Sequence, residues 1–398
     1  YCCTRSNTSP RISSHTQQRN SPRSSDIETE GVRSPFACRC GQKQWNLPRS
    51  TSMPRAPATE VMESDALNCF SSSLVICRNN SNYIYGMHVL ENEPMSKHTS
   101  FRVGGPARYY VKAECVADLQ EALALARRGN MPHFILGNGT NVLVSDEGYA
   151  GVIITLAGEF SAIDSPDGRT YRVGAGCPLG RFSRATLKQG LSGIHKLAGI
   201  PGTLGGAIYM NAGAYGQEIG TCCTQVTSLD TAGNTRVRTA GECAFGYRHS
   251  LFQELAGNGS AETILSATFA FDPATASDNS AGESQEQTVA RLEAELAECM
   301  AKRKATQPLN MPNAGSTFKR LAQGAADTPT QIAPGYYIEA AGLKGTRIGG
   351  AEVSTLHANF IVNAGGATAK DISALAELVQ QKVREKFGIT LEREIILL

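Results

Sequence analysis

The sequence of 398 residues predicts an α+β fold with several glycine-rich loops. In "VADLQEALALARRGN", apolar residues from Val116 to Ala126 recur at the spacing of one helical face. In "FILGNGTNVLVSDEGYAGVIITL", short apolar runs separated by Gly and Asn are typical of strands joined by tight turns. Hydrophobic residues form 41% and charged residues 19% of the chain, which indicates a globular protein of two or three domains.

Residues 1–86 differ in composition from the rest of the chain. The stretch "TRSNTSPRISSHTQQRNSPRSSD" is rich in Ser, Arg, Pro, Gln and Asn and has no hydrophobic periodicity. Because such a segment cannot bury enough apolar surface to offset its ordering entropy, we expect a disordered or untranslated arm, with a natural start at Met87. The Arg and Ser content also suits a transit peptide, but Asp26, Glu28 and Glu30 count against one.

Three further helices are expected along the chain. "CPLGRFSRATLKQG" predicts a short helix from Pro178 to about Gly190. "QTVARLEAELAECMAKRK" and "TAKDISALAELVQQKVREKFG" each combine helical apolar spacing with a basic last turn. The stretch 275–287 is polar and is predicted to be a linker. We therefore expect a first domain at 87–274, with subdomains at about 87–157 and 158–274, and a second domain at 288–398.

Charge and cysteine spacing exclude several classes of function. The net charge of +2 gives no case for nucleic acid as a partner, and no apolar run is long enough to span a bilayer. Six of the twelve cysteines precede residue 80, and none forms a C-x-x-C pair. The neighbours Cys222 and Cys223 lack the partner spacing of a zinc site, so we expect reduced thiols and no metal.

Two loops carry the clearest functional signal. The stretch "LAGIPGTLGGAIYMNAGAYG" (197–216) contains six glycines and no charged side chain, and "GNGTN" (137–141) is similar in kind. Glycine lets a ligand approach the main chain, and successive N–H groups can bind a pyrophosphate without Lys or Arg. Neither G-x-G-x-x-G nor a P-loop is present, so a Rossmann or P-loop site is not expected. The alternative is that both loops are only tight turns.

Seven motifs in one order identify a family. They are "HTSFRVGGPA", "LGNGTNVLVSDEGYAGVII", "AGIPGTLGGAIYMNAGAYG", "YRHSLF", "NAGSTFKR", "AGLKGTRIGGAEVSTLHANFIVN" and "LEREI". Residues 87–398 resemble the UDP-N-acetylenolpyruvoylglucosamine reductase (MurB-type) family, which acts in peptidoglycan precursor synthesis. The resemblance implies an FAD-binding domain of the vanillyl-alcohol-oxidase-like (PCMH) fold followed by a smaller α/β substrate-binding domain. No Tyr occurs between Tyr247 and Tyr336, which resembles the shorter type without a Tyr-bearing loop.

The activity that this resemblance implies is NADPH-dependent reduction of UDP-N-acetylglucosamine enolpyruvate to UDP-N-acetylmuramate. A cytoplasmic monomer is expected. FAD is expected to be non-covalent, because Asn138 and Thr140 stand in the loop where relatives of the fold carry a linking His. The implied cofactor-binding residues are Gly137, Asn138, Gly139, Thr140, Asn141, Gly199, Ile200, Pro201, Gly202, Gly205, Gly206, Asn211, Ala212, Gly213 and Ala214.

Three residues match the catalytic positions of the family. The resemblance implies that Ser316 is the general acid, that Arg248 holds the substrate carboxylate, and that Glu394 assists beside the same centre. Without the family context, these would be read as a turn serine, a surface cation and an exposed strand residue. The expected substrate-binding residues are Tyr247, Lys304, Lys319 and Arg320. His357 and Asn359 are weaker candidates, either for substrate contacts or for core hydrogen bonds.

The sequence departs from the family at His195 and Lys196, where Glu-Phe is common. Two alternatives stay open from sequence alone. One is another FAD-dependent sugar or lactone oxidase of the same fold, which the missing linking His disfavours. The other is a non-catalytic flavin- or nucleotide-sugar-binding protein, which the presence of Arg248, Ser316 and Glu394 disfavours.

Overall fold

A computed structural model describes residues 81–84, 87–271, 283–321 and 333–398. Predictions for residues 1–80 and for residues 275–282 of the linker lie outside the described residues. The described residues belong to one compact unit. Within it, the division into domains at 87–274 and 288–398 stays a prediction.

The first part of the unit is a mixed sheet covered by one helix. Its strand order is β1-β2-β3-β6-β4, with β3, β6 and β4 parallel and the other pairs antiparallel. Leu119 and Leu123 of the helix pack with Val111 and Ile154 of the sheet, as their spacing predicts. The elements are β1 (Ser81–Ile84), β2 (Met87–Pro94), β3 (Pro106–Ala113), α1 (Val116–Arg128), β4 (His133–Leu136), β5 (Val142–Leu143) and β6 (Tyr149–Leu156).

The strand β1 corrects one expectation. It lies inside the arm that composition predicts to be disordered, and it pairs antiparallel with β2. The segment is "SNYI", in which Tyr and Ile have high strand propensity, and the edge of β2 supplies main-chain partners. The average composition of residues 1–86 does not show this short run of strand-forming residues.

The second part is an antiparallel sheet with strand order β12-β11-β13-β8-β7. Its core contains Phe182, Phe252 and Phe269, all buried. The glycine-rich stretch 197–216 runs from a 3₁₀ helix, His195–Gly199, through a short helix into a two-stranded hairpin. The elements are β7 (Ile163–Asp164), β8 (Thr170–Gly174), α2 (Leu179–Leu187), α3 (Leu204–Tyr209), β9 (Gly213–Ala214), β10 (Gln217–Glu218), β11 (Cys223–Leu229), β12 (Thr235–Thr239), α4 (Leu251–Gly257) and β13 (Thr263–Ala270).

The C-terminal part is built around one long helix. The side chain of Thr368 caps its first turn and Gly388 ends it with φ +71°, the left-handed conformation that favours glycine. Ile372 and Val379 on its buried face join a core that also includes Phe101 from the first part. Strand β17 pairs with β5, so the chain end returns to the first part. The elements are α6 (Pro334–Ala340), β14 (Arg347–Ile348), β15 (Ala351–Val353), β16 (Ile361–Asn363), α7 (Ala369–Phe387) and β17 (Ile396–Leu397).

Helix α5 (Gln285–Thr306) forms where helical spacing predicts it, begins within the predicted linker at 275–287, and packs against the second part of the unit. Its residues contact the second part: Glu295 bonds His195, and Cys299 O accepts a hydrogen bond from Tyr215 Oη at 3.2 Å. The Arg303 guanidinium also donates to Gly199 O. Sequence spacing shows that a helix forms, but it does not show which neighbour its buried face meets.

Two kinds of feature are missing from the described ranges. No helix there has both the length and the hydropathy that a bilayer-spanning segment requires. No group of three or more His, Cys, Asp or Glu side chains there is arranged to hold a metal ion.

Candidate active site

The loop "GNGTN" packs closely against neighbouring main chain. Gly139 has φ +61°, and a Cβ placed on it would lie 2.0 Å from His98 O. Ser100 N–H donates to Gly139 O at 3.0 Å. Glycine is therefore required here both by conformation and by space. The Asn138 side-chain amide donates to Pro201 O at 3.0 Å, which joins this loop to the second glycine-rich loop.

In the described ranges, six main-chain N–H groups of the two loops have no hydrogen-bond acceptor and are available to a ligand. Within the described parts of the chain, the N–H groups of residues 138–141, Gly202 and Thr203 donate to no oxygen atom. All of these residues except the exposed Asn138 are buried or half-buried, and N–H groups in such positions nearly always have partners in native proteins. A row of such donors is suited to an anion, and a pyrophosphate offers several acceptor oxygens. This amide cradle, formed by the six N–H groups, therefore fits the diphosphate of FAD.

The expectation that main-chain donors run from Gly199 to Gly206 is only partly met. Ile200, Leu204 and Gly205 donate within the chain, to Leu197 O, Cys177 O and Ala175 O. Pro201 has no N–H. These bonds close the 3₁₀ helix and satisfy the first turn of α3, so that turn is not available to a phosphate.

An open cleft of about 440 Å³ lies beside this cradle. Asn138 and the Ala198–Gly202 segment line it, and so do Arg181 and Arg184 of α2. Both arginines are exposed. They are not among the residues expected from the sequence, although their spacing of three residues places them on one face of the predicted helix. They add positive charge next to the amide cradle.

Substitution Gly139→Ala is expected to abolish FAD retention, because the added Cβ meets His98 O and the backbone is left-handed. Strain of this kind costs about 1–2 kcal/mol before any clash. Flavin absorbance per mole of protein after gel filtration measures the effect. Gly233→Ala is the matched control, since Gly233 has φ +89° and no atom within 4 Å of an added Cβ. Equal flavin content in the two variants would contradict the assignment.

The structure brings Arg248 and Glu394 into direct contact and places the segment of Ser316 beside Glu394. Arg248 Nε donates to Glu394 Oε1 at 2.6 Å, and Arg248 Nη2 donates to Gly213 O at 3.1 Å. Glu394 N–H donates at 2.9 Å to the carbonyl of Thr317, the residue after Ser316. Asn141 Nδ2 donates to Glu394 O at 3.1 Å, so the same residue also borders the cradle loop.

Arg248 is held in an unusual backbone conformation. It has φ +52° at the tip of a turn whose ends, Gly246 and His249, exchange two main-chain hydrogen bonds of 3.1 Å. Non-glycine residues adopt this region rarely and at an energetic cost, and such residues cluster at functional sites. Its side chain is only 20% exposed and that of Glu394 14%, so their ion pair is shielded from water.

The segment that carries Ser316 is clamped by a buried amide. Asn359 Oδ1 accepts from Phe318 N–H at 3.1 Å, and its Nδ2 donates to Phe318 O at 2.9 Å. Thr317 N–H donates to Asn359 O at 2.8 Å. Ser316 is half-buried, and its hydroxyl has no hydrogen-bond partner in the described ranges. Of the two roles considered for Asn359, these contacts support that of an interior hydrogen-bonding residue.

The predicted substrate-binding residues fall into two groups. One consists of Tyr247, Lys319 and Arg320, and the other is Lys304 alone. Tyr247 is 48% exposed, its hydroxyl accepts from Arg320 N–H at 3.1 Å, and the Arg248 guanidinium lies 5.2 Å from its ring centroid. Lys319 already pairs with Glu392. Lys304 is exposed on α5, and no contact between described residues joins it to the other cations.

A polar network outside the predicted catalytic residues includes His195 and Lys196, the two positions at which the sequence departs from the family. Lys196 N–H donates to Gln217 Oε1 at 2.8 Å, and Gln217 Nε2 donates to His195 Nδ1 at 3.2 Å. His195 Nε2 therefore carries the proton that it donates to Glu295, 3.1 Å away. Burial lowers the pKa of His195, while Glu295 opposes that shift. The network ties β10 and the 3₁₀ helix to α5.

Known proteins match the chain over the residues that form this site. The family model "UDP-N-acetylenolpyruvoylglucosamine reductase, C-terminal domain" matches residues 307–398, and the model "FAD binding domain" matches residues 107–237. The UDP-N-acetylenolpyruvoylglucosamine reductase 2 of Symbiobacterium thermophilum is 39% identical over 303 residues, which cover 76% of this chain and 90% of that protein. The reductase of Alkaliphilus oremlandii is 40% identical over 307 residues, 77% of this chain and 92% of that protein.

A solved structure agrees with these sequence matches. The crystal structure of UDP-N-acetylenolpyruvylglucosamine reductase (MurB) from Thermus caldophilus superposes with a TM-score of 0.61 at 32% identity, covering 78% of this chain and 98% of that one. The predicted fold class and FAD as the cofactor are confirmed. The chain therefore belongs to the UDP-N-acetylenolpyruvoylglucosamine reductase family of FAD-dependent oxidoreductases.

Proposed function

We propose that the chain reduces UDP-N-acetylglucosamine enolpyruvate to UDP-N-acetylmuramate with NADPH, using Arg248, Ser316 and Glu394 at the reacting centre. One observation carries these roles: Glu394 contacts Arg248, the Ser316 segment and Asn141 of the cradle loop at once. The reaction is a step of peptidoglycan precursor synthesis, and we propose that the enzyme carries it out in the cytoplasm. We further propose a monomer of the shorter family type.

The residues present fit a non-covalent FAD. The free N–H groups of residues 138–141, Gly202 and Thr203 would hold its diphosphate, and the exposed Arg181 and Arg184 would add charge. When bound, FAD would supply the chemistry of hydride transfer between NADPH and the enolpyruvyl carbon. The protein must then supply charge stabilisation and a proton.

Arg248 is suited to hold the substrate carboxylate. Two of its nitrogens are used by Glu394 and Gly213, and Nη1 donates no hydrogen bond in the described part of the chain. Negative charge develops on the carboxylate as hydride adds to the double bond, and a fixed, shielded guanidinium stabilises that charge. Glu394 orients the guanidinium and keeps the local charge balanced.

Ser316 would donate the proton that completes the reduction at C2. Its hydroxyl has no competing acceptor in the described ranges, and its segment is held rigid by Asn359. An alcohol is a weak acid, so the alkoxide that remains needs a cation nearby. Arg248, whose partner Glu394 contacts the Ser316 segment, would be that cation.

A spectroscopic titration tests the proposed function. The purified protein is expected to carry a flavin absorbance band, which bleaches with NADPH under anaerobic conditions and returns on addition of UDP-N-acetylglucosamine enolpyruvate. Return of the band with oxygen but not with this substrate would indicate an oxidase instead. A flavin that NADPH does not bleach would indicate a non-catalytic binding protein. A colourless protein that does not bind added FAD would overturn the proposal entirely.

A further inference from the structure

Asn211 makes a set of hydrogen bonds to protein groups and has no part in the reaction proposed above. It is 2% exposed and has φ +42°. Its Oδ1 accepts from Gly220 N–H at 3.1 Å, and its Nδ2 donates to Glu218 Oε2 at 2.9 Å and to Gly246 O at 2.8 Å. Both amide protons and the amide oxygen are thus occupied.

These bonds leave Asn211 little capacity to contact a cofactor. Its main-chain N–H also donates within the chain, to Ile208 O at 3.2 Å. The resemblance implies FAD binding at this position, but the side chain is committed to three protein partners on two segments, Glu218 and Gly220 on one and Gly246 on the other. Its contacts therefore indicate a structural link rather than a ligand contact.

One of those partners is the base of the turn that presents Tyr247 and Arg248. Gly246 O accepts from both His249 N–H and Asn211 Nδ2. A second partner, Glu218, is paired with Gly213 across the β9–β10 hairpin, and Gly213 O accepts from Arg248 Nη2. Asn211 therefore connects the backbone of the turn to the hairpin that receives its guanidinium.

We propose that Asn211 is a positioning residue for Arg248, which fixes the guanidinium for the substrate carboxylate. This inference rests on the proposed role of Arg248. The left-handed Arg248 backbone is costly and persists only while its surroundings hold it. Loss of the Asn211 amide frees Gly246 O from one of its two donors, and the guanidinium then samples positions that miss the carboxylate.

The variant Asn211→Gly tests this role with little damage to folding, since glycine accepts the positive φ. We expect an unchanged flavin content and unchanged flavin reduction by NADPH. The KM for UDP-N-acetylglucosamine enolpyruvate rises at least tenfold, as does the Kd of this substrate measured anaerobically by flavin difference spectra. Asn211→Asp, which keeps the oxygen for Gly220 but loses both donors, is expected to act in the same direction.

Asn363→Ala is the matched control. Asn363 also makes three side-chain hydrogen bonds, to Phe101 O, Gly365 N–H and Ala367 N–H, and none of these partners belongs to the catalytic cluster. We expect it to lower the melting temperature without changing KM. If the two variants shift KM alike, or if Asn211→Gly loses FAD instead, Asn211 is not a positioning residue for Arg248.

A double-mutant cycle with Arg248→Ala separates the inference from the proposed function. If Asn211 acts through Arg248, Asn211→Gly changes KM less than twofold in the Arg248→Ala background. Full additivity would overturn the inference while leaving the function intact. Failure of the wild-type protein to reduce the substrate would instead overturn the proposed function.

Discussion

Replacement of Ser316 by alanine is expected to slow reduction of the enolpyruvyl substrate by about 10²–10⁴-fold, the usual contribution of a positioned acid. Flavin reduction by NADPH should continue at the wild-type rate, because that half-reaction needs no proton at C2. The half-buried hydroxyl has no partner in the described ranges, so its removal breaks no visible hydrogen bond. Stopped-flow absorbance of the two half-reactions, each followed separately, measures the difference.

Ser165→Ala is the matched control for this experiment. Ser165 is also half-buried, its hydroxyl has no partner among the described residues, and it lies in the β7–β8 connection. It should leave both half-reactions unchanged. Equal slowing of both half-reactions by Ser316→Ala would assign Ser316 to binding or folding rather than to proton donation.

The second large effect is expected for Arg248→Lys, which should slow the same half-reaction by about 10²–10³-fold and raise KM. A single ammonium group cannot reproduce the planar guanidinium contacts to Glu394 Oε1 and Gly213 O while also binding a carboxylate. Losses of this size are typical when one preorganised donor is removed from a site of developing charge. The two half-reactions and KM are measured as for Ser316.

Arg236→Lys is the control for the Arg248 substitution. Arg236 also pairs with a carboxylate, Asp230, but its side chain is 55% exposed and lies on β12. Exposed ion pairs contribute only about 0–1 kcal/mol, so activity and stability should hardly change. Wild-type kinetics in Arg248→Lys would remove Arg248 from the reacting centre.

Much of the fold could be predicted from local patterns. Helices α1 and α7 form where the spacing of apolar residues predicts them, because this signal acts within a few residues. The strands between 133 and 156 likewise follow their Gly and Asn turns. The order of seven motifs was enough to identify the family. The segment Ser81–Ile84 was missed because its pairing partner, β2, decides its structure.

The candidate site was predicted as a set of residues but not as a set of contacts. The amino-acid sequence is enough to identify Ser316, Arg248 and Glu394 as candidates and to show two glycine-rich loops. The contact of Arg248 with Glu394, 146 residues away, and the pairing of Lys319 with Glu392 are seen only in the folded chain. Folding also determines which loop N–H groups have no hydrogen-bond acceptor among the described residues. It likewise determines that the Asn211 side chain bonds protein groups. The reason is competition for hydrogen-bond partners, which depends on segments that are distant in sequence and adjacent only after folding.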